Sequence, residues 1–117
     1  MNDSIKKERA FRGFKYSHWR ALIKESYEVI KDFCNNHDLF EELKNQEWYE
    51  FVRLLRNGIS HDFRFDFSRY HENQFPITWK TISINYDLDG EFIPSSLLSH
   101  EIVIDIFKNM RKFIFDL

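Results

Sequence analysis

Three glycines and two prolines are all that this 117-residue chain has for tight reversals. A sandwich or barrel of many short strands needs turn residues at regular intervals, so this scarcity argues against an all-β fold. The chain is rich in bulk instead, with 13 Phe, 5 Tyr and 3 Trp. At 43% hydrophobic and 31% charged it is too apolar for disorder and too charged for a membrane protein. Its length suits one hydrophobic core, so residues 1–117 are expected to form a single domain. No run approaches the ~18 consecutive apolar residues of a membrane span. The opening MNDSIKKERAFRG lacks the apolar centre of an export signal. A cytoplasmic protein with no membrane contact is the expectation.

The apolar periodicity is helical. Ile5, Ala10, Phe11 and Phe14 predict a short first helix, ended or kinked near Gly13. Trp19, Leu22, Ile23, Tyr27, Ile30, Phe33 and Cys34 predict a long second helix with Ser17 as its N-cap. Asp38 and Glu41 resemble a capping arrangement opening a short helix towards Asn45. Trp48, Phe51, Val52, Leu55 and Ile59 form a core-facing stripe within a helix over 46–62. The Phe-rich stretch DFRFDFSRYHENQFP reads as an irregular connection or a poor strand. Ile77 to Leu88 alternates, with a phase slip near Thr81 that predicts a bulge. Asp89-Gly90 is the hairpin signal, with Glu91–Ile93 as the return strand. A last helix starts near Ser99 and buries Ile102, Val103, Ile106, Phe107, Met110, Phe113 and Ile114. The expected fold is mainly α, a bundle of four to five helices with a small antiparallel β-hairpin inserted before the last one.

Net charge is −2, so no global attraction to nucleic acid operates. The distribution is uneven. Residues 1–31 carry eight Lys and Arg against four carboxylates, and residues 32–52 carry six carboxylates against Lys44. A basic first segment can face an anionic partner or simply water. Cys34 is the sole cysteine, which leaves a buried reduced thiol as its expected state.

One segment departs from core and surface: Leu54-Leu55-Arg56-Asn57-Gly58-Ile59-Ser60-His61-Asp62. Arg56 follows Val52 by four residues and borders the apolar stripe. It must snorkel, pair with a carboxylate or receive an anionic ligand. Gly58 costs roughly 1 kcal/mol relative to Ala inside a helix. A glycine there permits close approach of another backbone or a local bend. Asn57 and His61 are helical neighbours, so the amide is placed to orient the imidazole. On an ideal helix Arg56 and His61 diverge by about 140°. They meet on one ligand only if the helix bends near Gly58, if Arg56 wraps round, or if a second copy supplies the partner residue.

Arg56-Asn57-Gly58-Ile59-Ser60-His61 resembles the Arg-(four to six residues)-His motif of the HEPN superfamily, small helical domains of toxin–antitoxin and RNA-cleaving defence systems. The polar residue after the Arg also fits, and the family architecture covers most of the chain. The resemblance implies a metal-independent endoribonuclease in a toxin–antitoxin or phage-defence role. Arg56, Asn57 and His61 would be its catalytic residues, and Arg53 and Arg64 auxiliary RNA contacts. It further implies RNA as substrate, a homodimer with a composite site, an antitoxin protein as a possible partner, and no cofactor. In one branch of the family a Tyr two positions after the His is adenylylated; here that position is Phe63, which argues against that silencing route.

The chemistry is self-consistent. RNA carries its own nucleophile, the 2′-hydroxyl. Cleavage needs a base, an acid for the departing 5′-oxygen, and positive charge on the phosphorane. Histidine suits the proton transfers, and the arginine fork suits phosphate oxygens. No clustered carboxylate–histidine set stands out as a metal site. The competing expectations are a non-catalytic RNA-binding module and a protein-interaction module in which Arg56 makes a plain ion pair. His18, His37, His71 and His100 are expected at surface turns or helix starts. Trp79 is expected in the core rather than stacked on a base.

Overall fold

A computed structural model describes residues 2–117, apart from the side chains of Tyr16 and Arg20. Its elements are α1 (Asp3–Trp19), a π-helical stretch (Arg20–Glu25), α2 (Ser26–Asn36), α3 (Phe40–Lys44), α4 (Tyr49–Ser60), β1 (Ile77–Trp79), β2 (Ile82–Ile84) and α5 (His100–Phe115). The mainly helical architecture with a small antiparallel hairpin before the last helix is the one expected. No helix among the described residues is long and apolar enough to cross a membrane.

The first helices differ from expectation. Gly13 does not end a helix, and Ser17 caps none: α1, the π-helical stretch and α2 run on without a break from Asp3 to Asn36. A lone glycine in a helix costs only about 1 kcal/mol, and nothing stands near enough to Gly13 to exploit a bend. The buried positions Trp19, Ile23, Tyr27, Ile30 and Cys34 are spaced mostly by four. Each four-residue step drifts about 40° on an ideal helix. The wider π turn, which begins just after Trp19, takes up part of that drift and keeps the row facing inward.

Asp38 does not cap α3. It adopts φ 56° as the left-handed residue that closes α2, and Leu39 N–H donates to the Cys34 carbonyl at 2.8 Å. This is the six-to-one bond of a Schellman ending, and it uses the backbone conformation that an N-cap would need otherwise. At the other end of the chain α5 starts where expected, and Ser99 caps it, accepting from Ile102 N–H at 3.3 Å.

The hairpin is tighter than expected. β1 and β2 pair antiparallel with Ile77 opposite Ile84 and Trp79 opposite Ile82. The reversal is therefore Lys80-Thr81, where a bulge was predicted, with Lys80 at φ 56°. Asp89-Gly90 is also a turn, with Gly90 at φ 80°, but it serves a different pairing. Residues 91–93 return against 63–65: Phe65 N–H donates to Glu91 O at 2.8 Å and Ile93 N–H to Phe63 O at 2.7 Å. The Phe-rich connection is thus half of an irregular ribbon. It is anchored by buried Phe65 and Phe67, with Phe67 4.6 Å from Phe75 and 5.3 Å from Phe65 between ring centroids.

The core lies between the middle of the long helix, α4, α5 and the hairpin. Phe51 of α4 meets Trp79 at 5.1 Å and Trp48 meets Phe113 at 6.0 Å. Trp79 is a core residue, as expected, and Cys34 is a buried free thiol. Phe107 and Phe33 stay partly exposed although their periodicity placed them inward.

Candidate functional site

The site begins where α4 stops. The helix buries Phe51, Val52, Leu54, Leu55 and Ile59. Gly58 faces the ribbon: a Cβ there would stand 2.6 Å from Ile93 Cδ1 and 3.2 Å from the Arg64 carbonyl. Glycine is therefore required by close approach, one of the two roles expected for it. His61 lies outside the helix as its C-cap, with φ −117° and ψ 50°. Asp62 and Phe63 follow at φ 56° and 61°, and Arg64 N–H closes the turn on the His61 carbonyl at 3.1 Å. Two successive left-handed residues between such a pair make a turn of the I′ kind, which suits entry into a twisted ribbon.

This ending resolves the divergence of Arg56 and His61. Because His61 has left the helix, the ideal 140° separation no longer applies. Both side chains line one cleft of about 550 Å³, together with Asn57 and Arg53. Lys31, Arg69, Asp66 and Ser68 complete much of its wall. Four Lys and Arg side chains line it with one carboxylate, and Glu28 and Glu50 pair with Arg56 and Arg53 from outside the lining, so the local excess of positive charge rests on Lys31 and Arg69.

Arg56 is half-buried and already engaged. Its Nη2 pairs with Glu28 Oε1 from α2, and its Nη1 donates to Asn57 Oδ1 at 3.1 Å. Pairing with a carboxylate was one of the three outcomes open to a cation on the border of an apolar stripe. The Nε atom is buried without a hydrogen-bond partner. His61 is 58% exposed, and its Nε2 lies 3.0 Å from Asp66 Oδ2. Asp66 Oδ1 accepts from Ser68 N–H at 3.0 Å. Hydrogen bonds from the Ser68 hydroxyl and backbone, then the charge of His61, hold the Asp66 carboxyl below its ordinary range. The carboxylate is therefore ionised at neutral pH and fixes one imidazole nitrogen. The other, Nδ1, stays free of that bond.

Tyr27 lines the cleft, and further tyrosines adjoin the residues that do. The Arg53 guanidinium sits 4.6 Å from the Tyr70 ring centroid and pairs with Glu50 at 3.4 Å. Tyr27 O–H donates to the Tyr49 hydroxyl at 3.4 Å. Burial pushes the hydroxyls of Tyr27 and Tyr70 far above the usual tyrosine value, so both remain protonated near neutral pH.

Four of the five residues singled out from sequence therefore share the cleft: Arg53, Arg56, Asn57 and His61. Arg64 points elsewhere, 3.7 Å over the Phe92 ring and bonded to the Gly90 carbonyl at 3.1 Å. The expected bond from Asn57 to His61 is not among the hydrogen bonds of the described residues; Asn57 binds Arg56 instead. Asp66, Ser68, Glu28, Lys31 and Arg69 were not foreseen. The need of Arg56 for a carboxylate was legible, but not which of many would answer it. Asp66 sits in the irregular stretch, where no periodicity indicates facing. The chain matches no protein-family model, no curated protein and no solved structure.

Proposed function

We propose that this chain is an endoribonuclease of the HEPN kind, cleaving RNA through its own 2′-hydroxyl. The observation that carries the reading is that Arg56 and His61, five residues apart, line one cation-rich cleft, with the imidazole held by Asp66. In this mechanism His61 takes the 2′-hydroxyl proton through Nδ1 while the 2′-oxygen bonds to phosphorus. Arg56 exchanges Glu28 for a phosphate oxygen and stabilises the phosphorane with its planar fork. The bond from phosphorus to the 5′-oxygen then breaks. The departing oxygen takes a proton from water, or from the His61 of a second copy where two clefts meet. Lys31, Arg53 and Arg69 hold flanking phosphates, and Arg64 is a more distant contact. Asn57 acts on Arg56 rather than on His61. A toxin–antitoxin or phage-defence setting, with a protein that blocks the cleft, fits such an activity inside the cell.

The test is cleavage of total RNA in EDTA by the wild type, Arg56→Ala and His61→Ala. The wild type should leave 2′,3′-cyclic phosphate and 5′-hydroxyl ends, and a substrate with 2′-deoxy at the scissile position should be inert. Products with a 3′-hydroxyl overturn the mechanism. Where the His61 of a second copy supplies the departing oxygen's proton, mixing His61→Ala with the wild type should lower activity more than in proportion, since a mixed dimer lacks one of the two imidazoles. A non-catalytic RNA-binding module is the second reading. It is favoured by the fact that Arg56 and His61 both already have carboxylate partners. RNA retention without turnover would select it.

A further inference from the structure

The long helix carries an apolar face that the rest of the chain does not cover. Residues 2–15, 17 and 18 are exposed, with Phe11 and Phe14 at 66% and 61%. An isolated helix of this length is marginal in water, so α1 needs a surface to lie on. The same face continues past Leu22 to Val29, itself 68% exposed. Two adjoining grooves flank it against α5. One, of about 260 Å³, is lined by Phe11, Phe14, Leu22 and Val103; the other, of about 650 Å³, by Leu22, Val29, Phe107 and Ile114. A contiguous apolar surface of this kind marks an interaction site. It lies on the side of the helix away from Tyr27 and Lys31, which face the cleft.

We propose that the occupant is a second copy of this chain, its long helix laid antiparallel along the same face. Charge selects this arrangement. Of the charges that line the two grooves from the long helix, Lys15 is on the upstream half and Glu25 on the downstream half. Antiparallel pairing sets Lys15 on Glu25; parallel pairing sets Lys15 on Lys15. A twofold midway between Lys15 and Glu25 brings those two residues opposite each other across the dimer. It also sets Phe11 against Val29, Phe14 against Ser26, and Leu22 against His18. Lys15 and Glu25 each line one of the grooves, at the edge of the apolar surface. An anionic lipid surface is the poorer occupant, because Glu25 at the edge of the face repels it. Such an interface is isologous, and it leaves both clefts open to solvent.

Sedimentation of the full chain tests this. The wild type should be a dimer at micromolar concentration. Phe11→Glu with Phe14→Glu should give a monomer that keeps its core and loses at most the helical content of α1, since neither side chain enters the core. Lys15→Glu and Glu25→Lys should each raise the dimer dissociation constant about five- to tenfold, and together should restore it. A wild-type monomer at tens of micromolar overturns the proposal, as does a dimer insensitive to Phe11 and Phe14. Failure of the double reversal to rescue overturns the antiparallel pairing. A monomer that binds phosphatidylserine vesicles through Phe11 and Phe14 would assign the face to lipid instead.

Discussion

Gly58 shows how one missing side chain positions the cleft. It lets the 63–65 strand and Ile93 close on α4, and that closure fixes where His61 and Asp66 stand. Alanine would gain about 1 kcal/mol of helix propensity there. The clash with Ile93 and the Arg64 carbonyl should outweigh it, for a net loss of about 1–2 kcal/mol in urea unfolding. Adding Ile93→Val, which removes the atom at 2.6 Å, should recover part of the loss. No recovery would mean that the Arg64 carbonyl sets the limit. Asp66 gives a pH signature. Its carboxyl is depressed in the folded chain, so its contribution is complete above the unfolded value of about 4 and fades as pH falls through the folded one. Asp66→Asn should therefore flatten the acid side of the curve of melting temperature against pH, and leave an unaltered slope above about pH 6. An unchanged acid side would show that Ser68 and His61 do not hold the carboxylate in solution.

At the scale of elements, the Glu28 pair with Arg56 ties α2 to α4 beside the cleft. Glu28 competes with phosphate for the same guanidinium. Glu28→Gln should tighten RNA binding and steepen its dependence on salt by about one counterion. Filter binding across a salt series reads both effects, and weaker binding would mean that Glu28 positions Arg56 instead of restraining it. Helices were the legible part of this chain, because α4 and α5 declare themselves through apolar spacing. The turns were not. Lys80-Thr81 carries no turn chemistry, yet it reverses the hairpin, because pairing of Ile77 with Ile84 and Trp79 with Ile82 overrides Lys80's reluctance to adopt positive φ. Asp89-Gly90 has the right chemistry and does turn, but its partner strand, 63–65, is far off in sequence. Four of the five candidate site residues were legible because they lie on or beside one helix. Asp66, Lys31 and Arg69 reach the cleft through tertiary contacts that no local pattern encodes.

For the molecule as a whole, the core and the projecting helix should behave as separate cooperative units. Cys34 is buried and its thiol is pushed up by desolvation, so a thiol reagent should react only after the core opens. Changes at Phe11 and Phe14 should leave its labelling rate within about twofold, since they lie outside that core. Faster labelling would show that α1 supports the core. The π-helical stretch enters the core through Ile23 and sets the angle at which the projecting residues upstream leave it. Val29 faces the open surface while its neighbour Glu28 turns to Arg56 of α4, so a single rod has its two sides committed to different tasks. Such a rod works like an indexed shaft. Removing one residue from Arg20–Glu25 would turn everything upstream by about 100°, carrying Phe11 and Phe14 out of line with Val29 and Trp19 out of the core.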